Sequence, residues 1–154
     1  MILSKWMDDT IKKSLTTSIS AETKLFLNYL LRQTKAFEEK TNYDIEHCVP
    51  KEVIKTYFHK NNIVVPMSSP CNLVYIPSSD NRSKGELTYY QKQETSPGTY
   101  YLNEEQLDRL CYPSKAELQF IASTAKLTEE NYFSFLKNRK SVILTKFMST
   151  AYEE

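Results

Sequence analysis

The hydrophobic pattern of the chain changes period twice, and this change restricts the folds that the sequence can form. Near both ends, apolar residues recur three and four positions apart, which predicts helices. Between them, residues 43–47 alternate just before a proline and residues 72–76 are β-branched and aromatic, which predicts two short strands. The sequence therefore predicts an α+β fold in which flanking helices enclose a small two-stranded centre.

Side chains that cap the first backbone N–H groups place the starts of the helices. Ser20, Asn103 and Thr128 are candidate N-caps, and Ser114 with Glu117 matches a capping box. Helices are predicted over residues 2–16, 20–40, 104–111, 115–125 and 128–151. Their inward-facing residues are expected to be Phe26, Leu27, Leu30, Leu31, Phe37, Tyr132, Leu136, Ile143 and Phe147.

The stretch 86–101 carries a mixed signal. Two Thr-Tyr-Tyr runs flank a turn at Ser96-Pro97-Gly98, which is compatible with a hairpin.

The length of 154 residues fits a single domain. We divide it into N-terminal helices over 1–41, a mixed centre over 42–92 and C-terminal helices over 93–154. Two short strands cannot bury a core of their own, so the flanking helices are expected to supply it.

Composition argues against several classes of function. With two glycines, the chain has neither a glycine-rich phosphate loop nor a dinucleotide fingerprint. A net charge of +1 gives no chain-wide basic surface, so nucleic-acid affinity would need a local patch or a partner. Three scattered cysteines without a signal peptide indicate a reducing compartment, and no apolar run reaches the ~18 residues of a membrane span. We therefore expect a cytoplasmic protein without a membrane segment.

The stretch Tyr43-Asp44-Ile45-Glu46-His47-Cys48-Val49-Pro50 concentrates groups that can do chemistry. Histidine can take a proton from water because its pKa lies near the working pH. Magnesium prefers oxygen ligands and keeps several waters, so a carboxylate from Glu46 and a carboxamide oxygen from Asn81 would suffice. Asp44 shares a strand face with Glu46 and is a second candidate ligand.

One geometric condition applies to this stretch. In a regular strand, Glu46 and His47 point to opposite faces. Both can serve one site only if the strand ends or twists at this point, and Pro50 is compatible with such an ending.

Three segments resemble the HNH nuclease motif of the ββα-metal, or His-Me finger, superfamily in its His-Asn-Asn variant. They are Asp44-Ile45-Glu46-His47-Cys48-Val49-Pro50, Asn72-Leu73-Val74 and Asn81-Arg82-Ser83-Lys84-Gly85. The pattern is similar to the HNH domains of CRISPR effector nucleases and of modification-dependent restriction enzymes. The resemblance covers residues 43–85 and implies a ββα-metal centre, a two-stranded antiparallel hairpin plus a short helix, embedded between the flanking helices.

The resemblance also implies roles for residues by position. His47 would be the general base that activates water, and Asn72 would fix the adjoining loop and the orientation of His47. Arg82 and Lys84 would contact phosphate.

The implied metal ligands are Glu46 and Asn81, which would bind Mg²⁺ or Mn²⁺, with Asp44 as a further ligand or support. Two features depart from the motif. The interval from His47 to Asn72 is long, so an inserted segment must fold away. The cysteine pairs that bind structural zinc in many HNH domains are missing, so the helices must stabilise the centre.

Each of these residues also has an ordinary structural interpretation. A histidine beside a carboxylate can form a structural hydrogen-bonded pair, and Asn81 can be a turn or N-cap residue. The 11 tyrosines could stack on bases, although packing is the more frequent use.

Other candidate groups also have an ordinary role. His59 is predicted at the surface, and Cys48 and Cys71 are predicted as packed thiols. The cations at positions 137, 139 and 140 could bind phosphate, but a solvated helix face is the default for them.

The sequence thus predicts a magnesium-dependent HNH endonuclease that hydrolyses DNA, with RNA as an open alternative substrate. Its expected context is a restriction or anti-phage assembly in which a protein partner supplies target recognition. The alternative is a non-catalytic module that binds protein or nucleic acid and retains an HNH-like fold.

Overall fold

The structure is a computed structural model that describes residues 2–12, 16–78, 87–98 and 102–151. Within these residues the chain forms six α-helices and one two-stranded antiparallel sheet, which confirms a mixed α+β architecture. The elements are α1 (Ile2–Thr10), α2 (Ala21–Gln33), β1 (Tyr43–His47), α3 (Lys51–Tyr57), β2 (Leu73–Pro77), α4 (Tyr89–Thr95), α5 (Glu104–Arg109) and α6 (Glu129–Ala151). The short helix that the resemblance implies after the hairpin falls on residues 79–86, outside the described residues.

The two strands pair in antiparallel register, with Tyr43 opposite Pro77 and His47 opposite Leu73. The strand predicted over residues 43–47 is confirmed at both ends, and the second strand begins one residue later than predicted. Between the strands the chain forms α3 and two 3-10 helices, His59–Asn61 and Pro70–Asn72. The long interval between the first two motif segments is therefore folded structure.

The core of the molecule comes from the helices packed around the hairpin. Met7 of α1, Leu27 of α2, Ile54 of α3 and Leu136 of α6 belong to the same buried cluster as Ile76 of β2. A two-stranded hairpin is marginal in water without such packing. The prediction that the helices supply the core is confirmed.

Capping side chains start the helices where the sequence predicts. The Ser20 hydroxyl accepts from Thr23 N at 3.1 Å, and the Thr128 hydroxyl accepts from Asn131 N at 3.1 Å. Asn103 forms a reciprocal capping box with Gln106 at the start of α5. Each cap satisfies an N–H group that has no partner within its own helix.

The second helix ends earlier than predicted. It stops at Gln33 rather than near Lys40, because Lys35 turns the chain with a φ of 59°. Phe37 is therefore not part of the helical stripe, and its ring instead stacks on Tyr43 with centroids 6.0 Å apart.

The sequence leaves residues 86–101 open, and its prediction of a helix over residues 115–125 is wrong. Residues 89–95 form the helix α4, although the sequence of this stretch is also compatible with a hairpin. Thr88 and Gln91 make a capping box at the start of the helix. The capping hydrogen bonds between Ser114 and Glu117 do form, at 3.0 and 3.1 Å. They lead into turns and short 3-10 helices rather than the α-helix predicted over 115–125.

Helix length and polarity also bear on membranes. In the described part of the chain, every helix is too short or too polar to cross a bilayer.

Candidate functional site

His47 is the last residue of β1 and lies in the interior of the molecule. Its side chain is 4% exposed, and its cross-strand neighbour Leu73 is fully buried. The ring nitrogen Nε2 lies 3.1 Å from the hydroxyl of Ser68. The strand ends at His47, as the geometric condition on a shared site required, and the next three residues bend into α3.

Asn72 is fully buried directly before β2 and uses its whole carboxamide on backbone groups. Its Oδ1 accepts from Val49 N at 2.8 Å, and its Nδ2 donates to Val49 O at 3.2 Å and Met67 O at 3.0 Å. The backbone carbonyl of Asn72 accepts from Cys48 N at 2.8 Å. The loop that follows His47 is therefore tied to the start of β2.

Ser68 connects His47 to the segment between α1 and α2. Its hydroxyl donates to Thr17 O at 3.0 Å, and its backbone N–H donates to Thr16 O at 2.8 Å. The side chain of Ser68 is 5% exposed. Sequence reasoning missed this residue because the contact joins positions 21 residues apart and no local pattern signals it.

The neighbouring Ser69 has a different set of partners. Its hydroxyl accepts from Cys71 N at 3.2 Å and lies 3.0 Å from the hydroxyl of Thr10. Thr10 donates to Met7 O, so Ser69 must be the donor between the two hydroxyls. Ser69 thus links the 3-10 helix before β2 to α1 through hydrogen bonds to Cys71 and Thr10.

The two candidate carboxylates occupy the same face of β1. Glu46 is half-buried opposite Val74, and Asp44 is exposed opposite Ile76. The Ser78 hydroxyl donates to Asp44 Oδ1 at 2.9 Å, at the point where the chain leaves β2 toward Asn81.

Glu46 and His47 face different surroundings. Burial raises the pKa of the Tyr112 phenol well above its usual value, and the Glu46 carboxylate adds to the same effect. Glu46 lies opposite Val74 across the hairpin, whereas Nε2 of His47 lies 3.1 Å from the Ser68 hydroxyl. Strand alternation separates the two side chains up to the end of β1.

The remaining motif residues lie outside the described part of the chain. Asn81, Arg82 and Lys84 fall within residues 79–86, so the structure does not place them. Among the described residues, no group of three or more His, Cys, Asp or Glu side chains converges on one point. The described oxygen donors, Asp44 and Glu46, have the chemistry that a hard divalent cation prefers.

The thiols beside the motif are packed groups, as predicted. Cys48, Cys71 and Cys111 are fully buried, and no disulfide joins them in the part of the chain that the structure describes. Burial raises the pKa of the Cys71 thiol to about 11, so the thiol is protonated at neutral pH.

Arg139 contradicts the interpretation of a solvated cationic face on α6. Its side chain is 1% exposed, donates from Nη2 to Cys111 O, and places Nη1 3.8 Å from Glu117 Oε2. Its Nε is buried with no hydrogen-bond partner in the described structure. Arg139 is a structural cation that joins α6 to the end of α5, and it is not part of a solvated helix face.

The other predictions on single residues have mixed outcomes. Tyr89 and Tyr132 are fully buried and pack in the core, as the packing interpretation predicts. Their hydroxyl groups bond the backbone at Leu102 N and Pro66 O. His59 is half-buried rather than at the surface, with Nε2 3.1 Å from Val65 O.

A cavity of about 950 Å³ lies between α4, α5 and α6. Tyr90, Tyr112, Glu117, Arg139 and Lys146 contribute to its wall. None of the described motif residues lines this cavity.

Comparison with known proteins adds no relative. No protein-family model, curated protein or solved structure matches this chain. The resemblance to the HNH motif therefore remains a prediction from residues 43–85.

Proposed function

We propose that this chain is a metal-dependent endonuclease with an HNH-type site centred on His47. The observation that supports this proposal is the buried Asn72 carboxamide, which holds the loop after His47 against the start of β2. The resemblance assigns that task to the middle asparagine of the motif. The antiparallel pairing of β1 and β2, with His47 at the end of β1, is also the arrangement that the resemblance implies.

In the proposed mechanism, His47 takes a proton from the water that attacks the phosphodiester. Glu46 and Asn81, with Asp44 as a further ligand or support, would hold Mg²⁺ or Mn²⁺. The bound cation would relieve charge on the phosphorane-like transition state and on the leaving oxygen.

The remaining proposed roles concern the substrate. Arg82 and Lys84 would contact the phosphate backbone. The products would carry a 5′-phosphate and a 3′-hydroxyl. We place the protein in a restriction or anti-phage assembly, in which a partner chain supplies target recognition because a net charge of +1 is small for a DNA-reading surface.

The burial of His47 favours a second candidate function. A ring that is 4% exposed and hydrogen-bonded to Ser68 can serve a purely structural purpose. In that case the chain is a non-catalytic interaction module that retains an HNH-like centre. The nuclease proposal requires the His47 ring, which is 4% exposed, to become accessible to water when substrate and cation bind.

A cleavage assay with the intact chain separates the two candidates. Supercoiled DNA and a labelled RNA are incubated with the protein and Mg²⁺ or Mn²⁺, with a chelator in parallel. The nuclease proposal predicts chelator-sensitive cleavage that leaves 5′-phosphate ends. Absence of cleavage of either nucleic acid with both cations would favour the interaction module.

A further inference from the structure

The hydrogen bonds around Ser68 determine which nitrogen of His47 carries a hydrogen atom. A hydroxyl group has one hydrogen to donate and can accept through its lone pairs. The Ser68 hydroxyl lies 3.0 Å from Thr17 O, and a carbonyl oxygen can only accept. The single hydroxyl hydrogen is therefore used on Thr17, and Ser68 must act as the acceptor toward His47.

This leaves one assignment for the 3.1 Å contact between Ser68 Oγ and His47 Nε2. Nε2 must carry a hydrogen and donate it to Ser68. In a neutral imidazole, only one nitrogen is protonated, so Nδ1 is the basic nitrogen of His47.

We propose that Ser68 is a positioning residue that fixes His47 in the Nε2–H tautomer, so that Nδ1 is the nitrogen that receives the proton from water. The inference deepens the proposed nuclease function and rests on it for its catalytic part. For the neutral ring, the tautomer follows from the two partners of the Ser68 hydroxyl, Thr17 O and His47 Nε2. Ser68 touches neither substrate nor cation in this account and acts only through His47.

The proposed step balances without any further reactant. The water proton moves to Nδ1, and the water oxygen bonds to phosphorus. The bond between phosphorus and the 3′ oxygen breaks, and that oxygen takes a proton from solvent. His47 then returns its extra proton to solvent.

The surroundings make Ser68 suitable for this task. His47 and Ser68 are 4% and 5% exposed, so water competes little for their hydrogen bond. The Ser68 backbone is also held, because its N–H donates to Thr16 O at 2.8 Å. A ring held by such a hydrogen bond keeps both its tautomer and its orientation.

Nitrogen NMR of the uniformly ¹⁵N-labelled chain tests the tautomer directly, at a pH where both histidines are neutral. The chain has only two histidines, and a His59→Gln variant assigns their signals. His59 is an internal reference, because its Nε2 lies 3.1 Å from a carbonyl oxygen and must therefore carry the hydrogen. We expect His47 to show a protonated Nε2 with a hydrogen protected from exchange. A protonated Nδ1 in the wild-type chain would overturn the proposal.

A pair of serine variants tests whether Ser68 causes that state. Ser68→Ala removes the acceptor, so the protected Nε2 hydrogen of His47 should disappear and both tautomers should be populated. Ser69→Ala is the matched control, because it removes a buried hydroxyl one position away whose hydrogen bonds go to Thr10 and Cys71. Identical His47 signals in Ser68→Ala and the wild type would overturn the assignment, even if both variants lose stability.

Cleavage kinetics test the catalytic part separately. Ser68→Ala should lower kcat by about 10- to 100-fold with little change in KM, and Ser68→Thr should restore activity. Cleavage by a wild-type chain whose Nδ1 is protonated would overturn the positioning role while leaving the nuclease proposal intact. A wild-type chain with the expected tautomer and no cleavage would overturn the catalytic role while leaving the tautomer assignment intact.

Discussion

The carboxamide of Asn72 bonds both backbone polar groups of Val49, accepting from its N–H at 2.8 Å and donating to its carbonyl at 3.2 Å. Both residues are fully buried. Because Val49 lies two positions after His47, this pair of bonds fixes the exit of β1 against the entry to β2. The Asn72 side chain thus helps to position the candidate base, together with the strand pairing of His47 and its contact with Ser68.

Replacing Asn72 should destabilise the fold strongly. Asn72→Ala would leave the N–H of Val49 and the carbonyls of Val49 and Met67 buried without this partner. Each such group costs about 1–3 kcal/mol, so we expect a loss of about 2–4 kcal/mol after relaxation. Urea unfolding followed by circular dichroism measures it. Asn28→Ala on the exposed face of α2 is the control and should change stability by less than about 0.5 kcal/mol. Equal effects of the two variants would refute the role of the carboxamide.

Arg139 should be required for packing rather than for nucleic-acid binding. Arg139→Ala removes the partner of Cys111 O and leaves a cavity beside α6. We expect the free energy of unfolding to fall by about 2–4 kcal/mol. This decrease is smaller than for a fully buried ion pair, because Glu117 is 21% exposed. Lys137→Ala, on the exposed side of the same helix, should change stability by less than about 0.5 kcal/mol. Thermal denaturation of both variants checks this, and a stable Arg139→Ala chain would contradict it.

The sequence allowed β1 to be predicted at both ends, because residues 43–47 alternate and Pro50 follows. It also indicated the starts of α2, α5 and α6, since Ser20, Asn103 and Thr128 act on backbone groups within three residues. These features are local. Local side-chain chemistry therefore accounts for the parts of the fold that the sequence predicted.

The features that the sequence left open, missed or predicted wrongly have different physical reasons. The start of α4 carried a usable signal, the capping box of Thr88 and Gln91, but the adjacent tyrosines favour strands and masked it. The burial of Arg139 depends on the carbonyl of Cys111, 28 residues earlier in the chain. The contact between His47 and Ser68 spans 21 residues and depends on the way the inserted segment folds back. Such contacts are set by tertiary packing, which periodicity and capping do not encode.

Alkaline pH should destabilise the chain through its buried thiols. The pKa of Cys71 rises from an ordinary 9.0 to about 11 because of burial. Because the native pKa is raised, the buried neutral thiol makes its full contribution to the free energy of unfolding below pH 9. This contribution is lost as the pH rises toward 11. The loss should be about 2–3 kcal/mol from this thiol. Urea unfolding at several pH values should therefore show a smaller alkaline loss for Cys71→Ala than for the wild type, and parallel curves would contradict the assignment.

Divalent cation binding should depend on Glu46. Isothermal titration with Mg²⁺ or Mn²⁺ should show that Glu46→Gln weakens binding by at least about tenfold, since the variant removes a charged oxygen ligand. Asn81→Ala should act in the same direction. Glu52→Gln, an exposed carboxylate in the first turn of α3, is the matched control and should bind as the wild type does. If Glu46→Gln and Glu52→Gln bind the cation equally well, Glu46 is not a ligand.

The most direct test is the rate of DNA cleavage by His47→Ala beside the wild type and His59→Ala, with Mg²⁺ and at equal folded concentration. Loss of a general base costs about 10²- to 10⁴-fold in rate, so we predict a decrease of that size for His47→Ala and none for His59→Ala. Equal cleavage by His47→Ala and the wild type would contradict the assignment of His47 as the base.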